Sequence, residues 1–88
     1  MNQESTVDEM ARAIAQYLRT EANFSDPSLI GETTKLFELG VVDSLMIVSL
    51  IGYCEQTFGC QISPDELTEE NLESPLALAR LLNRDHKG

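Results

Sequence analysis

Asp43 and Ser44 stand side by side at the head of a greasy segment, with "LMIVSLI" following directly. Two kinds of chemistry could use such a pair. In the first, the Ser44 hydroxyl is a nucleophile, which requires a general base and a group to orient it. The only histidine, His86, lies far along the chain in a polar stretch and reads as a solvated terminal residue, and no G-x-S-x-G elbow surrounds the serine. In the second, the hydroxyl is something to be modified. Asp43 is placed to cap a helix by accepting a backbone N–H from Leu45 or Met46, which leaves Ser44 at the first helical position. A phosphate on that hydroxyl would meet unsatisfied backbone donors and the positive end of the helix dipole. Ser44 therefore reads as the substrate of another enzyme. As a bare dipeptide Asp-Ser is equally a capping signal and nothing more, so its surroundings must carry the reading.

The remaining residues offer less. The paired carboxylates Asp65-Glu66 and Glu69-Glu70 sit in charged sequence with nothing to raise a pKa, and read as a solvated surface. Cys54 and Cys60 are six apart, without zinc spacing. A disulfide between them is conceivable, but Cys54 falls on an apolar helical stripe and reads as a small buried hydrophobe. No phosphate loop, dinucleotide fingerprint or calcium loop is present. The chain is expected not to be an enzyme, with no catalytic residues and no metal.

Fifteen acidic residues against six basic give a net charge of −9. From Leu36 to Ala79 there is no Lys or Arg, while Glu38, Asp43, Glu55, Asp65, Glu66, Glu69, Glu70 and Glu73 make eight acids. Such a surface repels phosphate backbones and anionic lipid, so neither nucleic acid nor a membrane is the expected partner, whereas a protein with a basic patch would be steered toward it. The opening "MNQESTVDEM" lacks the basic and apolar regions of a signal peptide, and the longest uninterrupted apolar piece, "LMIV", is far too short to cross a bilayer. A cytoplasmic location and a monomer are expected.

At 88 residues the chain is expected to form one domain, 1–88, burying about 60–65% of its unfolded surface. Val7, Met10, Ala11, Ile14, Tyr17 and Leu18 recur at helical spacing, predicting a first helix over about 6–21, capped by Ser5 or Thr6, with Asp8 and Glu9 in its first turn. Residues 22–43, with Pro27, Gly31 and Gly40, read as a long ordered loop pinned by Phe24, Leu29, Leu36, Phe37 and Leu39. A loop that long tends to be functional. Ile47, Leu50, Ile51, Cys54 and Phe58 then mark one face of a second helix over about 44–58, stopped at Gly59. A strand is the rival over "LMIVSLI", but the period continues out to Phe58. Leu67 and Leu72 pin a charged segment with room for a short helix near 68–72. Ser74 and Pro75 open a last helix, about 75–83, through Leu76, Leu78, Ala79, Leu81 and Leu82. The expected fold class is all-α: three main helices and one short one, with the long loop between the first two.

On these residues "LFELGVVDSLMIVSLIGYCEQTFG" resembles the core of an acyl carrier protein, or of the related peptidyl and D-alanyl carriers. The resemblance rests on a leucine-containing loop ending in Leu39-Gly40, the Asp43-Ser44-Leu45 motif, an apolar helix ending in Phe58-Gly59, then Ile62, a short acidic segment and a leucine-rich last helix. It covers nearly the whole chain. It implies that a phosphopantetheinyl transferase, using magnesium and coenzyme A, attaches a 4'-phosphopantetheine arm to Ser44. The arm's thiol then holds an acyl or aminoacyl group as a thioester. It also implies partners that load, adenylate, condense or tailor that cargo, and makes the second helix their recognition element.

Two features depart from the fatty-acid carriers. Val41 and Val42 put one residue more between Gly40 and Asp43, as in D-alanyl carriers and standalone carriers of specialised metabolism. The second helix has only Glu55 as an acid, and presents Leu45, Met46, Val48, Ser49 and Gly52 as the expected partner-binding residues, read through apolar contact more than charge. Met46 and Val48 could instead pack under the long loop. The leading expectation is a discrete acyl carrier in polyketide or other specialised-metabolite biosynthesis; the alternative is a peptidyl or aminoacyl carrier, including D-alanyl. From another class comes an unmodified acidic helical adaptor, for which Ser44 would be dispensable. A sheltered acyl chain would have to enter an interior lined by Ile47, Leu50, Ile51, Cys54 and Leu72.

Overall fold

The computed structural model describes residues 3–22 and 24–84. His86 lies outside the described residues. Among them the secondary structure is all helical: α1 (Gln3–Glu21), α2 (Leu36–Leu39), α3 (Ser44–Phe58) and α4 (Pro75–Arg84), with single 3-10 turns at Pro27–Leu29 and Pro64–Glu66. Three long helices and one short one form an acyl-carrier-like bundle.

The first helix buries Met10, Ala11, Ile14, Ala15 and Leu18, so its stripe repeats every three to four residues as the sequence requires. It begins at Gln3, three residues before the expected start, so Ser5 and Thr6 lie inside it and not at its cap position. The apolar period marks only the part of a helix that packs, and a polar turn continued ahead of it gives no such signal. Against α1 packs α4, through Leu78, Ala79, Leu81 and Leu82, in the most extensive helix pairing of the molecule. The third helix adds Leu50 and Cys54 as fully buried residues, with Ile47, Ile51 and Phe58 half-buried along the same face.

The long connection between α1 and α3 is tied down from both sides. The Arg19 guanidinium donates to the Ile30 carbonyl at 2.5 Å, and Thr34 Oγ1 accepts the Gly31 N–H while donating to the Leu29 carbonyl. Leu36 N–H donates to the Glu73 carbonyl and Leu76 N–H to the Glu32 carbonyl, both at 2.8 Å, which fastens the connection to the entry of α4. Of the expected pins, Leu36 is fully buried, and Phe24 and Phe37 are half-buried. Leu29 and Leu39 are instead 53% and 42% exposed; Ile30, one residue along from Leu29, is the side chain that enters the core.

The short helix expected near 68–72 is not there, and the short α-helix of the fold is α2. Ser63 and Glu66 cap one another's backbone reciprocally, so helical structure starts early, at Pro64, and ends before Leu67. Residues 68–72 make one hydrogen-bonded turn instead, with Thr68 Oγ1 taking the Asn71 N–H and the Thr68 carbonyl taking the Leu72 N–H. Leu72 is buried as expected, but Leu67 is 38% exposed.

Candidate functional site

The site is set by a short run of backbone geometry ahead of α3. Gly40 adopts the left-handed conformation, φ +77°, and ends α2. The chain then reverses, with Val41 buried and its N–H donated to the Leu36 carbonyl at 2.9 Å. Val42, half-buried, leads into Asp43, which is extended and caps α3: Asp43 Oδ1 accepts the Met46 N–H at 2.8 Å, and its carbonyl accepts the Ile47 N–H at 2.9 Å. Ser44 is thereby the first helical residue, exposed, and the N–H groups of Ser44 and Leu45 have no acceptor within the helix. These donors, with the helix dipole behind them, suit a phosphodiester on the Ser44 hydroxyl. The donor set fits such a group chemically. Among the described residues no basic side chain hydrogen-bonds Ser44, and no group of three or more His, Cys, Asp or Glu residues could hold a metal ion.

Around Ser44 the surface is apolar and open. Leu45 is 80% and Val48 70% exposed, and Ser49 and Gly52 are exposed beside them. Met46 differs from its neighbours: it is half-buried and packs on the edge of the core. Glu55, the one acid on α3, accepts the Ile62 N–H at 3.0 Å and so braces the chain that follows the helix.

The surface has two concavities of note, one of which adjoins this region. One, of about 260 Å³, lies between the last turn of α1 and the start of α3, where Tyr17 and Glu21 of α1 share the lining with Val41, Asp43, Leu45, Met46 and Ser49. Its Tyr17 ring stacks on Tyr53 with centroids 4.2 Å apart. Partial burial and the neighbouring Glu21 carboxylate push the Tyr17 phenol above its usual range. The other, of about 340 Å³, is lined by Phe37, Glu38, Glu69, Glu70 and the Lys35–Glu73 ion pair. Nothing in the sequence points to Tyr17 or Glu21 as part of a site, because Tyr17 falls on the apolar stripe of its helix and Glu21 is one acid among many at its end.

Cys54 and Cys60 are both buried thiols, and Cys60 Sγ contacts the Cys54 carbonyl at 3.8 Å. Burial pushes the Cys54 thiol up to about 12, so it is an inert core group.

A family model described as a phosphopantetheine attachment site matches residues 8–82, from the first helix through the last. No curated protein matches the chain.

Proposed function

The chain belongs to the phosphopantetheine-attachment family of acyl carrier proteins, and on that premise we propose that Ser44 is the residue that bears the arm. Domains of this family carry 4'-phosphopantetheine covalently, and carriers in general meet a phosphopantetheinyl transferase and biosynthetic enzymes. When attached, the arm supplies a thiol on which cargo is held as a thioester. The observation that carries the assignment is the geometry at α3: an exposed hydroxyl on the first helical residue, capped from behind by Asp43, with free backbone donors beside it.

The division of labour among the other residues follows from position. Asp43 fixes the first turn, and Gly40 and Val41 set the approach of the loop. Leu45, Val48, Ser49 and Gly52 form the face a partner enzyme reads, with Met46 supporting it from the core edge. Since that face has no free acid, partner contact is apolar, while the acids elsewhere steer a basic surface toward it. The favoured pathway is acyl carriage in polyketide or other specialised-metabolite biosynthesis, with aminoacyl or peptidyl carriage as the alternative cargo class. Among the described residues no helix is long and apolar enough to cross a membrane.

The test is the intact mass of the protein before and after incubation with a broad-specificity phosphopantetheinyl transferase, coenzyme A and magnesium. Wild type should gain one phosphopantetheine and Ser44→Ala none, with the same circular dichroism for both. No gain with several transferases on folded protein would sink the assignment and favour an unmodified adaptor built on Leu45 and Val48.

A further inference from the structure

We propose that the cleft between the last turn of α1 and the start of α3 docks the uncharged, amide-bearing middle of the phosphopantetheine arm, with Tyr17, Glu21 and Ser49 as its polar contacts. The proposal rests on attachment at Ser44. Both chain neighbours of Ser44, Asp43 and Leu45, line this cleft, so it opens directly beside the attachment residue. The other concave surface includes neither of them.

The lining selects the ligand. Val41, Leu45 and Met46 give the cleft its apolar surface, and two hydroxyls, Tyr17 and Ser49, and two carboxylates, Glu21 and Asp43, share the lining with them. No Lys or Arg lines the cleft, so it disfavours an anion and suits a neutral ligand rich in N–H and O–H donors. Beyond its phosphate the arm is such a ligand: two secondary amides and one hydroxyl, next to a carbon bearing two methyl groups. The amide and hydroxyl protons match the carboxylates, and the methyl groups match the apolar surface. A volume of about 260 Å³ is close to the small end of ligand pockets, enough for part of the arm and too little for arm and long cargo together. The Tyr17 phenol is held in place by its stack on Tyr53, so it meets the ligand with little ordering left to do.

The same geometry distinguishes this from a surface that merely happens to be acidic. The phosphate belongs at the backbone donors of α3, and the carboxylates stand along the cleft walls, where the neutral part of the arm can reach them. Docked in this way, the arm would be partly withdrawn between partner encounters, and a partner would gain access by drawing it out past Leu45.

The experiment is proton exchange of the arm's own amides, read by NMR on the protein carrying an isotope-labelled arm, with intact mass recorded on every sample. In wild type both arm amides should exchange severalfold more slowly than in free phosphopantetheine, and the arm's methyl groups should show cross-peaks to Val41, Leu45 or Met46. A variant combining Tyr17→Phe, Glu21→Gln and Ser49→Ala should return exchange to the free rate once loaded; Tyr17→Phe keeps the ring stack, and circular dichroism checks the fold. Glu69→Gln, in the other concavity, should leave exchange as in wild type. Complete loading with free-rate exchange and no cross-peaks in wild type would overturn docking while leaving attachment intact. Absence of loading, or loading that survives Ser44→Ala, would overturn the attachment on which docking rests.

Discussion

At Asp43 one side chain does two jobs: it closes the first turn of α3 through Met46, and it stands at the edge of the cleft beside Ser44. Removing the cap in Asp43→Ala should lower stability to urea by about 1 kcal/mol, and Asp43→Asn, which can still accept from Met46, should recover most of it. Cys54 gives a second test at this scale. Its thiol ionises near 9.0 when unfolded, but only near 12 in the fold, because burial disfavours the thiolate. Between those limits the folded state holds a proton that the unfolded state has lost. Stability is therefore fully present below pH about 9 and falls by about 1.4 kcal/mol per pH unit above it, until the folded thiol itself ionises. Urea titrations from pH 8 to 11 should show a level profile up to about pH 9 and this fall above it in wild type, and the loss of that fall in Cys54→Ala. A flat wild-type profile would contradict the burial of the thiol.

At the scale of elements, the two glycines with positive φ among the described residues are the joints of the fold. Gly40 ends α2 at φ +77° and Gly59 ends α3 at φ +65°, where its N–H returns to the Glu55 carbonyl. A Cβ at either position would meet nothing within 4 Å, so the cost of alanine is in the backbone alone. Gly40→Ala and Gly59→Ala should each lower the stability by about 1–2 kcal/mol. Gly40→Ala should in addition slow loading of Ser44 in a transferase assay, because the joint aims the chain into α3. Equal loading rates for the two variants would separate Gly40 from the site. Gly59 was legible as a helix stop, since it follows the last apolar residue of the period. The handed turn at Gly40 was not, because it ends a four-residue helix too short to leave a periodic trace.

Among the described residues the fold is organised around α1, which packs most extensively on α4 and less extensively on α3. Ile14 and Leu18 sit at its centre with no exposed surface. Either one changed to alanine should lower stability by about 2–5 kcal/mol, a large share of what a domain this small possesses. Leu45→Ser and Val48→Ser, at 80% and 70% exposure, should leave the melting temperature nearly unchanged and weaken partner turnover instead. A large loss of stability in either would place these side chains in the fold rather than on the recognition surface. With a net charge of −9, association with a basic partner should slow as salt is raised, through its rate constant for binding more than for release.

The sequence by itself determined what depends on residues within about four positions of one another. The period of α3, its cap from Asp43 to Met46, its stop at Gly59 and the Ser74 cap on α4 all lie within such windows, where backbone hydrogen bonding is local. The exposed serine at the head of α3 followed from the same local geometry. Only the tertiary structure decided which apolar residues of the long connection are buried, choosing Ile30 over Leu29, and where the short helix falls. It alone brought Tyr17 and Glu21 of α1 to Ser49 of α3 across a cleft, and tied Glu32 to Leu76 and Leu36 to Glu73. Those pairings join residues roughly thirty to forty-five positions apart. They follow from how the helices settle against one another, and no local pattern along the chain encodes that.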